Sequence, residues 1–266
     1  MAPNCAMSDE NTPRGLGEIV EDRLLDGRLV LRQPARGHRA GTDAVLLAAA
    51  LPDIADGTLL DIGSGVGTVG LSAALLSPTL RVTLLERDAE LAALAEQNAA
   101  LNGMADRGIV IAADVTEPAA RLEAAGLRAA SFDVVAMNPP FYPPGGTRAS
   151  PTPNRKAAHV AESDLQPWLR TARRVLKPGG RLVVIHRAEA LPELLAGLAA
   201  GFGAVSILPI HGVAGRPAIR VIVTATLNSR KPAALLPAFV INGADGRFTA
   251  ESEAVHRGLA RLAAYQ

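Results

Sequence analysis

The sequence predicts an α/β fold: a doubly wound, mostly parallel sheet of seven strands, closed by an antiparallel C-terminal strand pair and preceded by a short N-terminal hairpin. Three observations carry that expectation. From residue 58 to residue 200, short apolar runs alternate with helical patterns, the order that lays strands side by side in one direction. The last two strand patterns, 205–209 and 219–227, have no helix between them. A parallel return needs a dozen or more connecting residues, usually a helix, so this pair must be antiparallel. A glycine-rich turn, Gly63-Ser64-Gly65-Val66-Gly67, follows the first strand of the series, at the strand end where such sheets place their ligands.

Residues 1–18 are polar and include Pro3, Pro13, Gly15 and Gly17, the composition of a disordered tail. Residues 23–31 read as two strands around Asp26-Gly27, a strong hairpin signal. A basic loop, 32–39, follows, and Thr42 or Asp43 is placed to cap a helix through Val45, Leu46 and Leu47. The main series then runs strand 58–62, helix 68–76, strand 81–85, Ala-rich helix 88–101, strand 109–112 and a helix around 117–125. Its fourth strand, 132–137, ends at Asn138-Pro139-Pro140. After a long loop, a helix over 164–176 closes at Lys177-Pro178-Gly179-Gly180, where glycine caps and proline prevents continuation. Residues 181–186 form the fifth strand and 188–200 the helix behind it. The expected organisation is a tail (1–18), a hairpin and helix (19–52), a main domain (53–230) and a C-terminal extension (231–266).

Composition bounds the function. With 48% hydrophobic residues the chain can build a substantial core, and a net charge of +1 lacks the footprint of a broadly basic nucleic-acid binder. Any RNA contact must come from local clusters, and Arg32, Arg36, His38 and Arg39 form one ahead of the first helix. The single Cys5 excludes a disulfide framework and fits a reducing compartment. No apolar run approaches the roughly 20 residues of a membrane span, and no metal-ligand pattern stands out. A cytoplasmic protein without a membrane partner or a metal is expected.

Glu86 ends the second strand 19 residues after Gly67, and an acid there can accept both hydroxyls of a ribose. Asp114, just past the third strand, is placed to contact an adenine ring or to cap a helix. Asp61 can hold the glycine turn or a ligand's charged amino group. Asp61, Gly63, Ser64, Gly65, Gly67, Glu86, Arg87, Asp114, Val115 and Asn138 are the candidate cofactor residues. Their Asp-x-Gly-x-Gly-x-Gly pattern lacks the Gly-x-Gly-x-x-Gly spacing that suits a dinucleotide pyrophosphate. At these positions the chain resembles the class I S-adenosylmethionine-dependent methyltransferases, which implies that cofactor.

Asn138-Pro139-Pro140-Phe141 directly follows the fourth strand, and these four are the candidate catalytic residues. The exocyclic amine of a nucleobase is a poor nucleophile because its lone pair is delocalised into the ring. Acceptors that hold the NH₂ favour a more tetrahedral nitrogen, and the Asn138 amide oxygen and Pro139 carbonyl can be those acceptors. The prolines stiffen the loop and keep the nitrogen in line with the methyl group. Phe141 offers a face for base stacking, worth about 1–3 kcal/mol per base, and Tyr142 adds to it or packs. No strong base is needed, since the nitrogen becomes acidic once methylated. Arg155, Lys156 and His159 lie in a loop that can close over the base. Arg170, Arg173, Arg174 and Lys177 read as a solvated helix face, Asn98 and Asn102 as capping residues, and Trp168 as core.

The Asn-Pro-Pro-[Phe/Tyr] signature is similar to that of methyltransferases acting on amino nitrogens of adenine, guanine or protein glutamine. From about Asp22 onward the chain resembles the bacterial tRNA1(Val) adenine-N6 methyltransferase family. The resemblance extends to Gln33 and the run from His38 to Leu47, to Arg155-Lys156-Ala157-Ala158-His159, and to Asp245-Gly246-Arg247-Phe248-Thr249-Ala250-Glu251. It implies N6-methylation of an adenine in tRNA beside the anticodon, and Phe141 stands where many relatives carry Tyr, preserving the stacking face. The alternatives are another base amine (rRNA adenine, guanine N2, DNA adenine) or a protein glutamine. A glutamine enzyme usually carries a helical substrate domain in front, for which 40 residues are too few. A non-catalytic RNA module that binds the cofactor has no need to keep Asn138 and Phe141.

Overall fold

Strands that are apolar on both faces can be satisfied only between two layers of helix, and that is the environment the main series finds. The computed structural model describes residues 15–36, 41–140 and 165–262. An antiparallel hairpin, β1 (Ile19–Leu24) and β2 (Leu29–Pro34), leads into α1 (Thr42–Ala50). Then come β3 (Thr58–Ile62), α2 (Thr68–Leu76), β4 (Arg81–Glu86), α3 (Ala89–Leu101), β5 (Gly108–Ala112), α4 (Ala119–Ala124) and β6 (Phe132–Met137). Among the described residues the chain continues with α5 (Leu165–Val175), β7 (Leu176–Arg187), α6 (Leu191–Leu198), β8 (Phe202–Val213), β9 (Ala218–Leu227), β10 (Ala234–Leu235), β11 (Phe239–Asn242) and α7 (Ala250–His256).

The sheet order is β10-β8-β9-β7-β6-β3-β4-β5, with β11 also on β8. The central pairs are parallel, β9 runs antiparallel to both β7 and β8, and β10 and β11 pair in parallel with β8. The seven expected strands are therefore joined by two short ones from the C-terminal region, giving nine. Alternate residues divide the core. Leu59, Val82, Leu84, Val134 and Val183 pack beneath α1, α2 and α3, while Leu60, Leu85, Val135, Leu182 and Val184 pack on the side of α4, α5 and α6. Among the described residues no helix is long and apolar enough to cross a membrane.

Several local expectations are corrected by tertiary contacts. β2 extends through Arg32 to Pro34, where a loop was expected, because these residues pair with Ile19 to Glu21 of β1 while α3 supplies an edge at Val30 and Arg32. Asn98 Oδ1 accepts from Arg32 N (2.8 Å) and its Nδ2 donates to Arg32 O (3.0 Å), while Asn102 does the same for Val30 N (2.9 Å) and Val30 O (2.7 Å). Spaced one helical turn apart, the two amides act as a substitute strand. Asn102 does stand at the C-cap of α3, but Asn98 lies fully buried in the helix body. The hairpin turn is wider than Asp26-Gly27, with Leu25, Asp26 and Gly27 all at positive φ between the paired Leu24 and Leu29.

Helix α1 begins at an N-cap Gly41 with no side-chain cap, and Asp43 instead accepts from Arg220 Nε on β9 (2.9 Å). Residues 177–180 do not close α5. They bulge within β7 between the register pairs Phe132–Leu176 and Val134–Arg181, and Lys177 Nζ reaches both Asp133 oxygens at 2.8 Å. The basic residues of this stretch are anchors: Arg173 donates to Ala200 O (2.9 Å) and Arg174 to Leu127 O (2.8 Å). The helix expected over 188–200 divides into a 3₁₀ turn, Ala188–Ala190, and α6, whose second residue is Pro192. Proline fits a first helical turn, where no backbone donor is needed.

Candidate active site

The connections from β3 and β6, neighbours in the sheet, diverge at their C-terminal ends, the switch point where open α/β sheets bind ligands. The glycine turn after β3 is fastened to β4, since Gly63 N and Ser64 N both donate to Leu85 O (2.8 and 3.1 Å). Gly63, Gly65 and Gly67 take φ of 70°, 56° and 89°, conformations that glycine adopts without the strain of a Cβ. Gly67 is the N-cap of α2. A Cβ on Gly65 would meet open space, whereas one on Gly63 would lie 2.5 Å from Trp168 Cη2. Trp168, read from sequence as core, is half-buried and lies against the glycine turn.

Glu86 is held by two backbone amides, Gly65 N (2.8 Å) and Asp88 N (3.0 Å), and is largely buried. Two fixed donors orient the carboxylate and leave lone pairs for further donors. Asp114 is not a helix cap: α4 starts at Ala119 with Pro118 as N-cap, and Asp114 Oδ1 accepts from Thr116 N (2.8 Å) in a local turn. Its other oxygen stands 3.8 Å from Arg87 Nη1. Val115 is buried, its carbonyl accepting from Thr171 Oγ1 (3.1 Å). Glu86, at the end of β4, thus stands against the glycine turn, and Asp114 lies one strand further out, past β5.

The sequence leaves two roles open for Asp61, holding the turn or a ligand's amino group, and the structure gives its side chain a partner in the helix that follows the turn. Its side chain points beneath α2, where Oδ2 accepts from Gly70 N (3.0 Å). Burial pushes its carboxyl up to about 7, opposed by the Gly70 bond and reinforced by the charge of Glu86. Ser64 Oγ is buried with no hydrogen-bond partner.

Asn138 follows β6 beside the turn, and its Oδ1 is also buried without a partner. Pro139 is buried and Pro140 half-buried. A buried amide oxygen without a donor costs about 1–3 kcal/mol, an arrangement expected where a ligand supplies the missing hydrogen. Arg36 is exposed just beyond β2. Phe141, Tyr142, Arg155, Lys156, His159 and Arg39 lie outside the described residues. Among the described residues no group of three or more His, Cys, Asp or Glu could hold a metal ion.

Two neighbours of the site were missed by sequence reasoning. Asn98 also donates to Val66 O in the glycine turn (3.0 Å), and nothing in a helical Asn signals that bond. The Trp168 contact was equally silent, because residues 63 and 168 meet only through the sheet and α5.

Comparison with known proteins agrees with this arrangement. Residues 39–211 match the family model of the methyltransferase small domain. A relative from Erwinia tasmaniensis, named tRNA1(Val) (adenine(37)-N6)-methyltransferase, is 32% identical over 214 residues, spanning 80% of this chain and 84% of that protein. One of the same name from Porphyromonas gingivalis is 32% identical over 160 residues, 59% of this chain and 61% of that protein. Among solved structures, a predicted O-methyltransferase from Agrobacterium tumefaciens superposes with a TM-score of 0.71 at 29% identity, covering 83% of this chain and 98% of that one. With the family model spanning well over half of its residues and the Erwinia match four fifths of both chains, this chain belongs to the methyltransferase small-domain family, among the tRNA1(Val) adenine-N6 methyltransferases, and is an S-adenosylmethionine-dependent enzyme.

Proposed function

We propose that the chain methylates N6 of an adenine in tRNA, the reaction that the names of its relatives give for adenine 37 of tRNA1(Val). The observation that carries this reading is the buried, unpartnered Oδ1 of Asn138. A base amine is a donor that can satisfy it, and an amine is what must be activated there.

The residues present fit S-adenosylmethionine. Glu86, oriented by Gly65 N and Asp88 N, would take the ribose hydroxyls, and Asp114 would lie toward the adenine. The unpartnered Ser64 Oγ and the open side of Gly65 leave room and a polar group for the amino-acid portion. When bound, the cofactor supplies a methyl group on a positively charged sulfur.

The chain's own residues prepare the acceptor. Asn138 Oδ1 and the Pro139 carbonyl accept the two N–H bonds of the base amine, which draws its lone pair out of the ring and aims it. The two prolines remove the loop motion that would blur that aim. Phe141 stacks on the base, and the proton released after methylation leaves to solvent without a dedicated base. A tRNA substrate implies an enzyme of the cytoplasm.

The test is to incubate purified protein with methyl-labelled S-adenosylmethionine and unmodified tRNA made in vitro, then identify the labelled nucleoside by mass spectrometry. N6-methyladenosine is the expected product. Label in N2-methylguanosine, or none at all, overturns the reading.

A further inference from the structure

The sheet edge that carries Asn138 continues, away from the cofactor residues, across β7 and β9. Two residues beyond the register pair Met137–Val184 lie Pro139 and His186, and the next residue of β7, Arg187, pairs in register with Arg220 of β9. Directly opposed residues in an antiparallel pair project from the same face. The two arginines therefore lie side by side on one face, Arg187 one strand and Arg220 two strands away from the Asn138 loop. Like charges so placed are destabilising.

Their field is felt locally. His186 is pushed down to about 4, by burial first and then by the charge of Arg187, with Arg220 adding to it. Arg220 Nε donates to Asp43 Oδ2 (2.9 Å) and its Nη1 to Ile219 O (3.0 Å), while Arg187 pairs with Glu189. The two pairs differ. Asp43 and Arg220 are each three-quarters buried, whereas the Glu189 side chain is 64% exposed and its pair is worth little. Arg187 Nε is buried with no partner, so Glu189 leaves part of that guanidinium unsatisfied.

We propose that Arg187 and Arg220 form a phosphate grip for the RNA strand that presents its base to Asn138 and Pro139, with Glu189 yielding its place on Arg187 to a phosphate oxygen. The guanidinium fork matches phosphate geometry with two parallel bonds. A charge pair on the next two strands beyond the acceptors would fix the backbone near the target nucleotide, a contact that positions without reading sequence. The proposal rests on the RNA reading above.

The test measures tRNA affinity and steady-state kinetics over a range of KCl for wild type, Arg187→Gln, Arg187→Lys, Arg220→Gln and Glu189→Gln, with cofactor affinity and thermal melts in parallel. Each Gln variant at an arginine should bind tRNA about tenfold more weakly. It should also lose about 0.7 of the slope of log K against log salt, one single-strand phosphate contact, with cofactor affinity unchanged. Arg187→Lys should keep the slope. Glu189→Gln should tighten tRNA binding about threefold, since it frees the guanidinium; a purely structural pair would give no tightening. If wild type binds and methylates tRNA while Arg187→Gln keeps its affinity and slope, the grip is wrong and the proposed function stands. If wild type has no affinity for tRNA, both fall. Should Arg220→Gln fail to fold, Arg187→Gln and Glu189→Gln decide the matter.

Discussion

Alanine at position 63 would place a methyl group where the structure has the edge of a tryptophan. At φ 70° an L-residue carries left-handed strain of roughly 1–2 kcal/mol. Its Cβ would lie 2.5 Å from Trp168 Cη2 and 2.9 Å from Cζ3, well inside ordinary carbon contact at about 3.5–4.0 Å. The ring has limited freedom to recede, because it packs on the cluster that holds Leu60, Ile62 and Leu169, and forced overpacking of this kind costs about 1–3 kcal/mol. Gly63→Ala should therefore destabilise the chain by about 2–5 kcal/mol. A double-mutant cycle separates the two contributions. In a Trp168→Ala background the steric share disappears and only the strain of about 1–2 kcal/mol remains. Urea unfolding of the four chains, followed by circular dichroism because the only tryptophan is removed in two of them, reads the coupling directly. An equal cost in both backgrounds would refute the contact between Trp168 and the glycine turn.

Asn138→Ala should lower turnover by about 10²–10³, the scale of a lost transition-state hydrogen bond, while S-adenosylmethionine still binds in calorimetry; undiminished turnover refutes the acceptor role. Asn98→Ala deprives Arg32 N, Arg32 O and Val66 O of partners, and should cost about 2–4 kcal/mol in urea unfolding; a loss within about 0.5 kcal/mol would show that the amide bridge is dispensable. Asp61 has a folded value near 7 against an ordinary 3.8, so the folded chain keeps a proton that the unfolded chain has released. Its contribution to stability falls as pH rises from about 4 to about 7, by about 4 kcal/mol in total. His186, lowered from 6.5 to about 4, acts in the opposite sense, its contribution being lost as pH falls through that window. Asp61→Asn removes only the first effect, so the stability difference, variant minus wild type, should climb by up to about 1.4 kcal/mol per pH unit between pH 4 and 7; a difference independent of pH would mean that Asp61 titrates normally in the fold.

Much of the architecture was legible because it is local. The runs 58–62 and 132–137 are strands over the same residues in the structure, and 68–76 is a helix with the same bounds. Each is a segment whose apolar pattern and flanking turn residues point the same way. The errors fall where a distant partner decides. Arg32 to Pro34 are polar or helix-breaking and read as loop, yet they pair with Ile19 to Glu21 of β1, and the Asn98 amide of α3 takes both backbone groups of Arg32. Lys177 to Gly180 read as a helix stop, yet Asp133 draws Lys177 into a bulged strand. β10 and β11 carry weak strand patterns and form because β8 presents a free edge.

At the site, the residue types with chemistry were visible in the chain: three glycines at two-residue spacing, an acid at each of the next two strand ends, and Asn-Pro-Pro after the fourth strand. Their roles were not all visible. Whether Asp61 faces ligand or helix depends on which side of β3 its side chain emerges and on Gly70 approaching from α2. That Asn138 keeps an unsatisfied oxygen, and that Arg187 and Arg220 stand side by side, are facts of burial and strand register. The linear chain thus determined the elements, the glycine turn and the Asn-Pro-Pro motif after the fourth strand, since each depends on residues a few positions apart. Only the folded sheet decided which polar groups are satisfied and which remain open to a ligand, because hydrogen-bond partners and desolvation are set by neighbours far along the chain, 177 residues apart in the case of Asp43 and Arg220.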